Sequence, residues 1–280
     1  MAYSDFERWR DHSLDAQPEL SIVIPAYNER GTATAEEVQL DDRIRPTLAA
    51  MAVVVSELIP SWELIVSDDG STDGTPETIA SLEWANLRVL RSPNTGKGGA
   101  VRRGVLAARG KYILFADADN STPVEQLALL LEQLRQGFDL AIGSRAAQGA
   151  EEANKSLLRK TVSSGVRLVA QLMSGVRVKD TQCGFKMFRH DAAKDIFGRQ
   201  VIDGFSFDVE ILYLAQKFGY RIVEIPVQWF DAPGSKVNVL KDSILFFKDI
   251  LRVRQLDFAG AYQSNKPSQA TFKQNERETI

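Results

Sequence analysis

The chain has 280 residues, of which 44% are hydrophobic and 25% charged, enough to bury one substantial core. Its formal net charge of -3 argues against a nucleic-acid binder that works by general phosphate neutralisation. The single cysteine, Cys183, excludes an intramolecular disulfide and a cysteine-based zinc site, and it fits a reducing cytoplasm.

Neither end of the chain has the pattern of a targeting segment. Residues 1–19 are polar and charged, without the apolar centre of a signal peptide, and no later apolar run is long enough to span a bilayer. Residues 257–280 are expected to form a polar tail. We therefore expect one domain, over residues 20–256, in a cytoplasmic protein.

Strands and helices alternate through the first half of the chain. The predicted strands are 20–25, 62–67, 87–91, 112–116 and, further on, 140–143. The predicted helices run from about Pro46 to Leu58, from near Pro76, and from the glycine-rich turn 94–100 to near Gly110. This alternation indicates an α/β fold with a mostly parallel, doubly wound sheet and helices on both faces. Residues 30–45 form a polar insertion of unknown purpose.

Polar or glycine-rich sequence follows each of the first four predicted strands. These segments are 27–29, 68–73, 94–99 and 117–120. Ligands of doubly wound sheets bind beyond the carboxyl ends of the strands. We therefore expect the four segments to line one cleft.

Asp117 and Asp119 come directly after the strand 112–116. Residues two apart in an extended segment project to the same side, so both carboxylates can reach one hard cation. An isolated Asp-x-Asp is equally well explained as an acidic turn that caps the helix opening at Pro123. The motif alone does not decide between a metal site and a helix cap.

The turn at Gly96, Lys97, Gly98 and Gly99 superficially matches two phosphate-binding motifs. A dinucleotide fold has its glycines after the first strand, and a P-loop has Gly-Lys followed by Ser or Thr, so neither motif is present. Gly98 and Gly99 are equally well explained by a tight turn and close packing. Lys97, at a helix N-terminus that favours anions, is the better phosphate candidate.

These segments, in this order, resemble the signatures of family 2 glycosyltransferases with the GT-A fold. The matching segments are Ser21–Glu29, Asp68–Asp73, Asn94–Ala100 and Asp117–Asp119. Four further segments resemble the dolichyl-phosphate glucosyltransferase branch, which is close to the dolichyl-phosphate mannose synthases: Gly143–Arg145, Asp180–Lys186, Phe205–Glu210 and Gly234–Lys236. The resemblance covers about residues 20–256 and implies a nucleotide-sugar half, 20–120, and an acceptor half, 121–256.

The resemblance assigns the donor side to named residues. The base and ribose of the nucleotide sugar would be held by Pro25, Ala26, Tyr27, Glu29, Asp68 and Asp69. Carboxylates accept hydrogen bonds from an imino N–H and from ribose hydroxyls, and a Tyr face can stack on a base. Asp73 is instead expected to form an Asx turn that caps the helix at Pro76. Lys97 and Lys236 would contact the diphosphate, Lys236 from a mobile loop.

The resemblance also implies a metal. Asp117, Ala118 and Asp119 would lie at the donor diphosphate, with the two carboxylates holding Mg²⁺ or Mn²⁺ against it. Such a cation stabilises the charge of the leaving diphosphate as a Lewis acid. Ser121 stands where the mannose synthases have a glutamine, which leaves the third protein ligand open.

On the acceptor side, the resemblance places Arg145, with Ser144, at a lipid phosphate, for which the guanidinium fork is suited. A solvated surface arginine is the alternative for Arg145. Asp208 is the candidate general base if the acceptor is a sugar hydroxyl, whereas a lipid phosphate is already anionic and needs none. With a lipid phosphate as acceptor, Asp208 would instead orient the sugar or the acceptor. Glu210 is alternatively a first-turn carboxylate that complements the helix dipole.

Two predicted C-terminal helices, 157–176 and 240–256, are amphipathic. Helices of this kind more often pack on a core, but basic residues beside bulky apolar ones also suit the surface of an anionic membrane. We expect these helices to form the acceptor entrance and to make peripheral contact with the cytoplasmic membrane face.

The sequence thus predicts an inverting, metal-dependent glycosyltransferase that moves glucose from UDP-glucose to a polyprenyl or dolichyl phosphate. A GDP-mannose-dependent polyprenyl-phosphate mannosyltransferase and a UDP-sugar enzyme with a soluble saccharide acceptor are the alternatives within the class. A nucleotide-sugar sensor or scaffold without turnover is the alternative outside it. The intact Asp117, Asp119, Arg145 and Asp208 speak against that last reading.

Overall fold

A computed structural model describes residues 15–29, 44–153, 173–230 and 239–263. The strands within these ranges are β1 (Leu20–Ala26), β2 (Trp62–Asp68), β3 (Leu87–Arg91), β4 (Tyr112–Ala116), β5 (Leu140–Ser144), β6 (Glu151–Ala153), β7 (Phe185–Arg189), β8 (Ile222–Pro226) and β9 (Gln228–Phe230). The helices are α1 (Ile44–Leu58), α2 (Thr75–Ala80), α3 (Lys97–Ala107), α4 (Leu127–Arg135), α5 (His190–Arg199), α6 (Phe207–Lys217) and α7 (Val239–Phe258). A short 3₁₀ helix, Val124–Gln126, precedes α4.

The central sheet has seven strands in the order β3-β2-β1-β4-β7-β5-β8. Neighbouring strands pair in parallel except at β7, which is antiparallel to both β4 and β5. The predicted mostly parallel sheet is confirmed. β6 and β9 form a separate parallel pair. We had not predicted β7, because Lys186 interrupts its short apolar run and reads as a solvent-facing residue.

The sheet is covered on both faces, as predicted. Ile22 and Ile24 of β1 belong to one core cluster, with Leu48 of α1 and Leu130 of α4. Val23, which points to the other face, belongs to a second cluster with α3, α5 and α6. A strand that is buried on both faces is apolar throughout, without alternating polar residues. For this reason β1 can be predicted from the sequence.

The C-terminal helices are only partly as predicted. The predicted helix 157–176 lies almost entirely outside the described residues, as does most of the insertion 30–45. The predicted helix 240–256 is present as α7, which extends to Phe258. No helix of the described ranges is both long enough and apolar enough to cross a bilayer.

The predicted start of the polar tail, at residue 257, is wrong. Gly260 has a φ of 78°, the left-handed conformation that favours glycine at a helix C-terminus, and it turns the chain back after α7. Tyr262 is consequently fully buried, and its hydroxyl donates a hydrogen bond to Glu210 (2.7 Å). The folded domain therefore includes Tyr262.

A buried carboxylate stabilises the opposite, amino-terminal edge of the sheet. Glu63 of β2 is fully buried and accepts hydrogen bonds from Ser21 Oγ (2.6 Å) and from the backbone N of Arg109 (2.7 Å). Its other oxygen lies 2.9 Å from Arg109 Nη2 and 3.3 Å from Arg88 Nη2. Burial alone would raise the pKa of Glu63, but these hydrogen bonds and the charge of Arg88 outweigh it and lower the pKa.

Replacing Glu63 with glutamine is expected to destabilise the fold by about 2 kcal/mol at neutral pH, because charge-assisted hydrogen bonds are lost. A folded-state pKa below the unfolded value gives stability that is present above the unfolded pKa and lost as pH falls through the folded pKa. The difference between wild type and Glu63→Gln should therefore shrink on acidification below about pH 4. Urea unfolding at neutral and acidic pH measures it, and a difference independent of pH would contradict the assignment.

Candidate active site

The carboxyl ends of β3, β2, β1 and β4 lie along one edge of the sheet, because these strands are parallel neighbours. The turn after β1 is joined to the turn after β2, since Asn28 N donates to Ser71 Oγ (2.9 Å). Asp69, after β2, accepts a hydrogen bond from Gly96 N (2.7 Å) in the turn after β3. Lys97 then pairs with Asp117, after β4. The predicted convergence of the four polar segments is confirmed.

Only part of the segment at the end of β1 is accessible. Pro25 and Ala26 are buried within β1, whereas the side chain of Tyr27 is 43% exposed. Asn28 adopts a φ of 54°, which ends the strand abruptly. The Glu29 amide donates to Thr75 Oγ1 (3.0 Å), so this turn is tied to the start of α2. Tyr27, the residue that follows β1, is thus the most exposed of the predicted donor residues in this segment.

The adjacent Asp68 and Asp69 have different surroundings. Asp68 Oδ2 accepts hydrogen bonds from the amides of Gly70 and Ser71 (both 3.2 Å), while its Oδ1 is buried without a hydrogen-bond partner in the described part of the chain. Such an oxygen can accept a hydrogen bond from a ligand N–H or hydroxyl. Asp68 can therefore accept a hydrogen bond from a base or a ribose, the role expected of both Asp68 and Asp69.

Asp69 is occupied by internal contacts. Its carboxylate accepts hydrogen bonds from the Thr95 amide (3.0 Å) and the Gly96 amide (2.7 Å), and it pairs with Arg103 Nη2 (2.8 Å). Burial opposes ionisation, but these donors outweigh it and lower the pKa of Asp69. In this arrangement Asp69 shapes the glycine turn.

Asp73 forms the predicted Asx turn just before α2, although the residue at the helix N-cap is Gly74, which makes no side-chain capping hydrogen bond. Its Oδ1 accepts hydrogen bonds from the Thr75 amide (2.9 Å) and from Thr75 Oγ1 (2.6 Å). Asp73 therefore serves the local turn.

Lys97 is the cation at the centre of the cleft. It begins α3, and its Nζ lies 2.7 Å from Asp117 Oδ1. Burial would lower the pKa of Lys97, but the negative charges of Asp117, Asp208 and Asp119 outweigh it and raise the pKa. Lys97 is thus protonated and is shared by three carboxylates from two parts of the chain, the turn after β4 and the start of α6.

Asp117 and Asp119 lie in a turn rather than in an extension of β4. The strand ends at Ala116, and Asn120 has a φ of 51°. Our premise of strand-like alternation is therefore wrong, because the chain turns between the two carboxylates. Asp117 is half-buried, Ala118 is buried, and Asp119 is exposed with its Oδ1 accepting a hydrogen bond from Ser121 N (2.9 Å). Both carboxylates nevertheless act on Lys97.

Gly184 gives Asp117 its position. The Asp117 amide donates to Gly184 O (3.1 Å), and a Cβ on Gly184 would lie 1.9 Å from Asp117 Oδ2. Any larger residue at 184 would displace this carboxylate. The glycine of the segment Asp180–Lys186 is thus explained by the close approach of the Asp117 side chain.

The carboxylate pair suits a divalent cation. Hard cations such as Mg²⁺ and Mn²⁺ prefer oxygen ligands, and Mg²⁺ commonly takes one or two carboxylates with water and substrate phosphates. The described residues contain no group of three His, Cys, Asp or Glu side chains arranged to hold a metal. Asp117 and Asp119 therefore fit a cation that is completed by non-protein oxygens.

A buried ion pair lies beside Lys97. Lys186 of β7 is fully buried, donates to Cys183 O (2.6 Å) and pairs with Asp208, in the first turn of α6. Burial raises the pKa of Asp208, although the charges of Lys186 and Lys97 oppose the rise. Lys186 has no predicted role of its own. The signal in the sequence is a lysine between the apolar residues Phe185 and Met187 of β7.

Two further residues of the predicted acceptor segments, Glu210 and Cys183, are buried and serve the fold. Glu210 lies in the first turn of α6, as predicted, but it is fully buried and accepts hydrogen bonds from the amides of Val201 (3.0 Å) and Ile202 (2.8 Å). Burial raises the pKa of the Cys183 thiol to about 11. Cys183 is buried in the core cluster that contains Phe185 and Val227.

Arg145 lies just after β5 in a rigid setting. Its Nε and Nη2 donate to the two oxygens of the fully buried Asp180 (2.7 and 2.9 Å), and its guanidinium lies 5.5 Å from the Trp229 ring centroid. The alternative of a solvated surface arginine is wrong. Ser144 is fully buried, and its Oγ accepts a hydrogen bond from Ala146 N (3.3 Å), so it presents no surface to a ligand here. Lys236 lies outside the described residues.

Comparison with known proteins extends these observations. Residues 21–197 match the sequence profile described as Glycosyl transferase family 2. The dolichyl-phosphate beta-glucosyltransferase of Dictyostelium discoideum is 38% identical, over 84% of this chain and 73% of its own length. The enzymes of the same name from Saccharomyces cerevisiae and Homo sapiens are 36% and 34% identical, over 91% and 88% of this chain and 80% and 78% of theirs.

Solved structures share the fold at low sequence identity. Glucosyl-3-phosphoglycerate synthase from Mycobacterium tuberculosis, in complex with Mn²⁺, UDP and phosphoglyceric acid, has a TM-score of 0.58 and 16% identity, covering 89% of this chain and 80% of that one. Mannosyl-3-phosphoglycerate synthase from Rubrobacter xylanophilus has a TM-score of 0.59 and 17% identity, covering 90% and 78%. The predicted GT-A fold is confirmed.

Proposed function

Because the chain belongs to glycosyl transferase family 2, we propose that it transfers glucose from UDP-glucose to a polyprenyl or dolichyl phosphate with inversion at the anomeric carbon. The activity named for its curated relatives supports this substrate pair. The structural observation that carries the proposal is the convergence of Asp68, Lys97, Asp117, Asp119 and Asp208 at one edge of the sheet. This set supplies base recognition, charge for a diphosphate and a carboxylate beside the reacting sugar.

The donor would lie along the ends of β1, β2 and β3. The Oδ1 of Asp68, which has no hydrogen-bond partner among the described residues, would accept a hydrogen bond from an imino N–H or a ribose hydroxyl, and Tyr27 would stack its ring on the base. The protonated Lys97, at the N-terminus of α3, would bind the diphosphate, because both its charge and the helix dipole favour an anion. Asp69 would keep the glycine turn in shape.

We assign a divalent cation, Mg²⁺ or Mn²⁺, to Asp117 and Asp119. When bound, such a cation stabilises the negative charge that develops on the departing diphosphate. One solved structure of similar fold contains Mn²⁺ together with UDP, which agrees with this assignment. Asp117 would bind while also orienting Lys97, and Gly184 keeps its carboxylate in place.

Asp208 does not need to remove a proton when the acceptor is a phosphate monoester. The acceptor oxygen is anionic near neutral pH and attacks the anomeric carbon directly, while the bond to the diphosphate breaks. Asp208 is held by Lys186 and faces Lys97. Its role in this reaction is to orient the sugar or the acceptor.

Arg145 is the proposed contact for the acceptor phosphate. Asp180 fixes the guanidinium plane by two hydrogen bonds, and Trp229 lies beside it. A preorganised guanidinium loses little entropy on binding a phosphate. The position after β5, in the acceptor half of the sheet, supports the assignment.

Replacing Arg145 with lysine is expected to raise the KM for polyprenyl phosphate about tenfold and to leave the KM for UDP-glucose unchanged, because lysine keeps the charge but not the fork. Steady-state kinetics with each substrate varied in turn measures the effect. The matched control is Arg135→Lys. Arg135 lies at the end of α4 and forms an exposed ion pair with Glu19. An equal rise in both KM values would remove Arg145 from the acceptor site.

Membrane contact is proposed for α7, at the cytoplasmic face of a membrane. Leu251 and Phe258 are 51% and 98% exposed, and Lys248 and Arg252 are exposed on the same helix. Bulky apolar and basic side chains together suit an anionic bilayer surface. Flotation of the protein with anionic vesicles at low salt tests this, with Leu251→Ser/Phe258→Ser as the comparison. No binding of the wild-type protein would refute it.

The proposed function is tested by mixing the protein with Mn²⁺, a short polyprenyl phosphate and UDP-glucose or GDP-mannose in parallel. Lipid-linked sugar formed from UDP-glucose alone supports the proposal. Product from GDP-mannose alone would make the chain a mannosyltransferase. If a soluble saccharide is added and it alone is glucosylated, the lipid acceptor is ruled out.

A further inference from the structure

The loop between α5 and α6, residues 200–206, packs directly on the glycine turn that carries Lys97. Gly99 N donates to Asp203 O (3.1 Å), and Gln200 Nε2 donates to Gly98 O (3.0 Å). A Cβ on Gly96 would lie 2.5 Å from Asp203 O. The backbone of this loop is thus one wall of the turn, and the position of Lys97 depends on it.

The same loop leads into Asp208. Phe205 is 61% exposed, with its ring centroid 6.0 Å from Lys97 Nζ, and Phe207 packs edge-on against Phe115 of β4 at 5.7 Å. A displacement of the loop would therefore move groups on both sides of Lys97.

One buried carboxylate holds the start of this loop. Glu210 accepts hydrogen bonds from the amides of Val201 (3.0 Å) and Ile202 (2.8 Å), and the hydroxyl of Tyr262 supplies a further donor at 2.7 Å. A buried carboxylate is tolerated only when donors replace the lost water. Tyr262 is therefore part of what keeps Glu210 in the orientation that binds the loop.

Tyr262 reaches this position from the end of α7. Ala261 N donates to Leu256 O (3.0 Å) at the helix end, and Arg199 Nη1 donates to Tyr262 O (3.0 Å). The docked segment is also attached through Asp257, which accepts a hydrogen bond from Tyr213 on α6 (2.5 Å). Two tyrosine hydroxyls thus fasten the segment, but Tyr262 alone of this pair bonds the carboxylate that holds the loop.

We propose that Tyr262 is a positioning residue for the donor site. Through Glu210 it holds the loop 200–206 against the turn at Gly96–Gly99, so that Lys97 is placed to receive a nucleoside diphosphate. The identification of the ligand as a nucleoside diphosphate rests on the proposed function. The effect of Tyr262 on the loop, through Glu210, does not.

The test compares two variants that each remove one hydroxyl, Tyr262→Phe and Tyr213→Phe. Backbone hydrogen exchange should accelerate about tenfold in peptides covering 96–104 and 200–207 in Tyr262→Phe and stay at the wild-type rate there in Tyr213→Phe. The KM for UDP-glucose and the Kd for UDP with Mn²⁺ should rise at least threefold in Tyr262→Phe, with the KM for polyprenyl phosphate unchanged. Glu210→Gln, which keeps the side-chain shape, is measured in parallel and should change the same quantities.

Unchanged exchange in Tyr262→Phe would overturn the proposal, whatever Glu210→Gln shows. Faster exchange with unchanged UDP affinity would also overturn it, since Tyr262 would then only stabilise the fold. If the wild-type protein transfers no glucose from UDP-glucose, the proposed function is wrong. The hydrogen-exchange rates and the Kd for UDP then still decide the role of Tyr262.

Discussion

Replacing Lys186 with methionine should destabilise the folded chain by about 3–5 kcal/mol, because it leaves the Asp208 carboxylate buried without its ion-pair partner. Lys186 is fully buried and Asp208 is 4% exposed, so water cannot replace the lost ammonium. Methionine fills a similar volume, which limits any loss of packing. Urea unfolding followed by circular dichroism measures the change.

The double variant Lys186→Met/Asp208→Leu separates charge from packing. Because no uncompensated charge remains in it, we expect most of the lost stability to return, although transfer activity should not. If the single variant unfolds like the wild type, or the double variant is no more stable than the single one, the buried pair is not the stabilising feature.

The pH dependence of Lys186→Met has a definite sign. Burial already raises the pKa of Asp208, and removing Lys186 removes the charge that most opposes the rise. A folded pKa above the unfolded value penalises folding increasingly as pH rises between the two values. The stability gap between Lys186→Met and wild type should therefore narrow as pH falls through the raised folded-state pKa of Asp208 toward its unfolded value of about 4. Urea midpoints at several pH values test this.

Replacing Asp119 with asparagine is expected to lower the transfer rate at least 100-fold, because an asparagine does not supply the negative oxygen ligand that a divalent cation needs. Asp119 is exposed, so the free energy of unfolding should change by no more than about 0.5 kcal/mol. Glucose transfer from UDP-glucose, titrated with Mn²⁺, measures the effect. Part of the loss should be recovered at high Mn²⁺ concentration.

The matched control is Asp191→Asn, an exposed aspartate at the start of α5. β7 leads into α5 and runs antiparallel to β4, so Asp191 lies at the edge of the sheet opposite the proposed metal site. Its replacement should leave activity unchanged. A wild-type rate in Asp119→Asn would show that the carboxylate pair does not serve a cation during transfer.

The strands β1, β2 and β4 of the parallel half were predictable because they are buried on both faces. β3 and β4 were located to the residue, and β1 and β2 to within one residue, since apolar runs such as Leu20–Ala26 end sharply at polar turns. The convergence of Asn28, Asp69 and Asp117 followed from parallel pairing alone.

The remaining features of the site depend on contacts between residues that are far apart in the sequence. Lys186 reads as a surface lysine until Asp208, 22 residues later, is placed beside it. Asp68 and Asp69 are the same residue type in adjacent positions, and it is the approach of the turn at Thr95 and Gly96 and of Arg103 from α3 that makes Asp69 the internal carboxylate. Tyr262 stands just before a polar tail, and its burial depends on Glu210. Such partners cannot be read from local periodicity.

The central claim is inverting transfer of glucose from UDP-glucose to a polyprenyl phosphate. Its most direct test is the isolation of the lipid product made by the wild-type protein with Mn²⁺, followed by mass spectrometry and NMR of the anomeric proton. We predict a glucosyl phosphate on the polyprenyl chain in the β configuration. Release of free glucose without lipid product, or an α-linked product, would contradict the account.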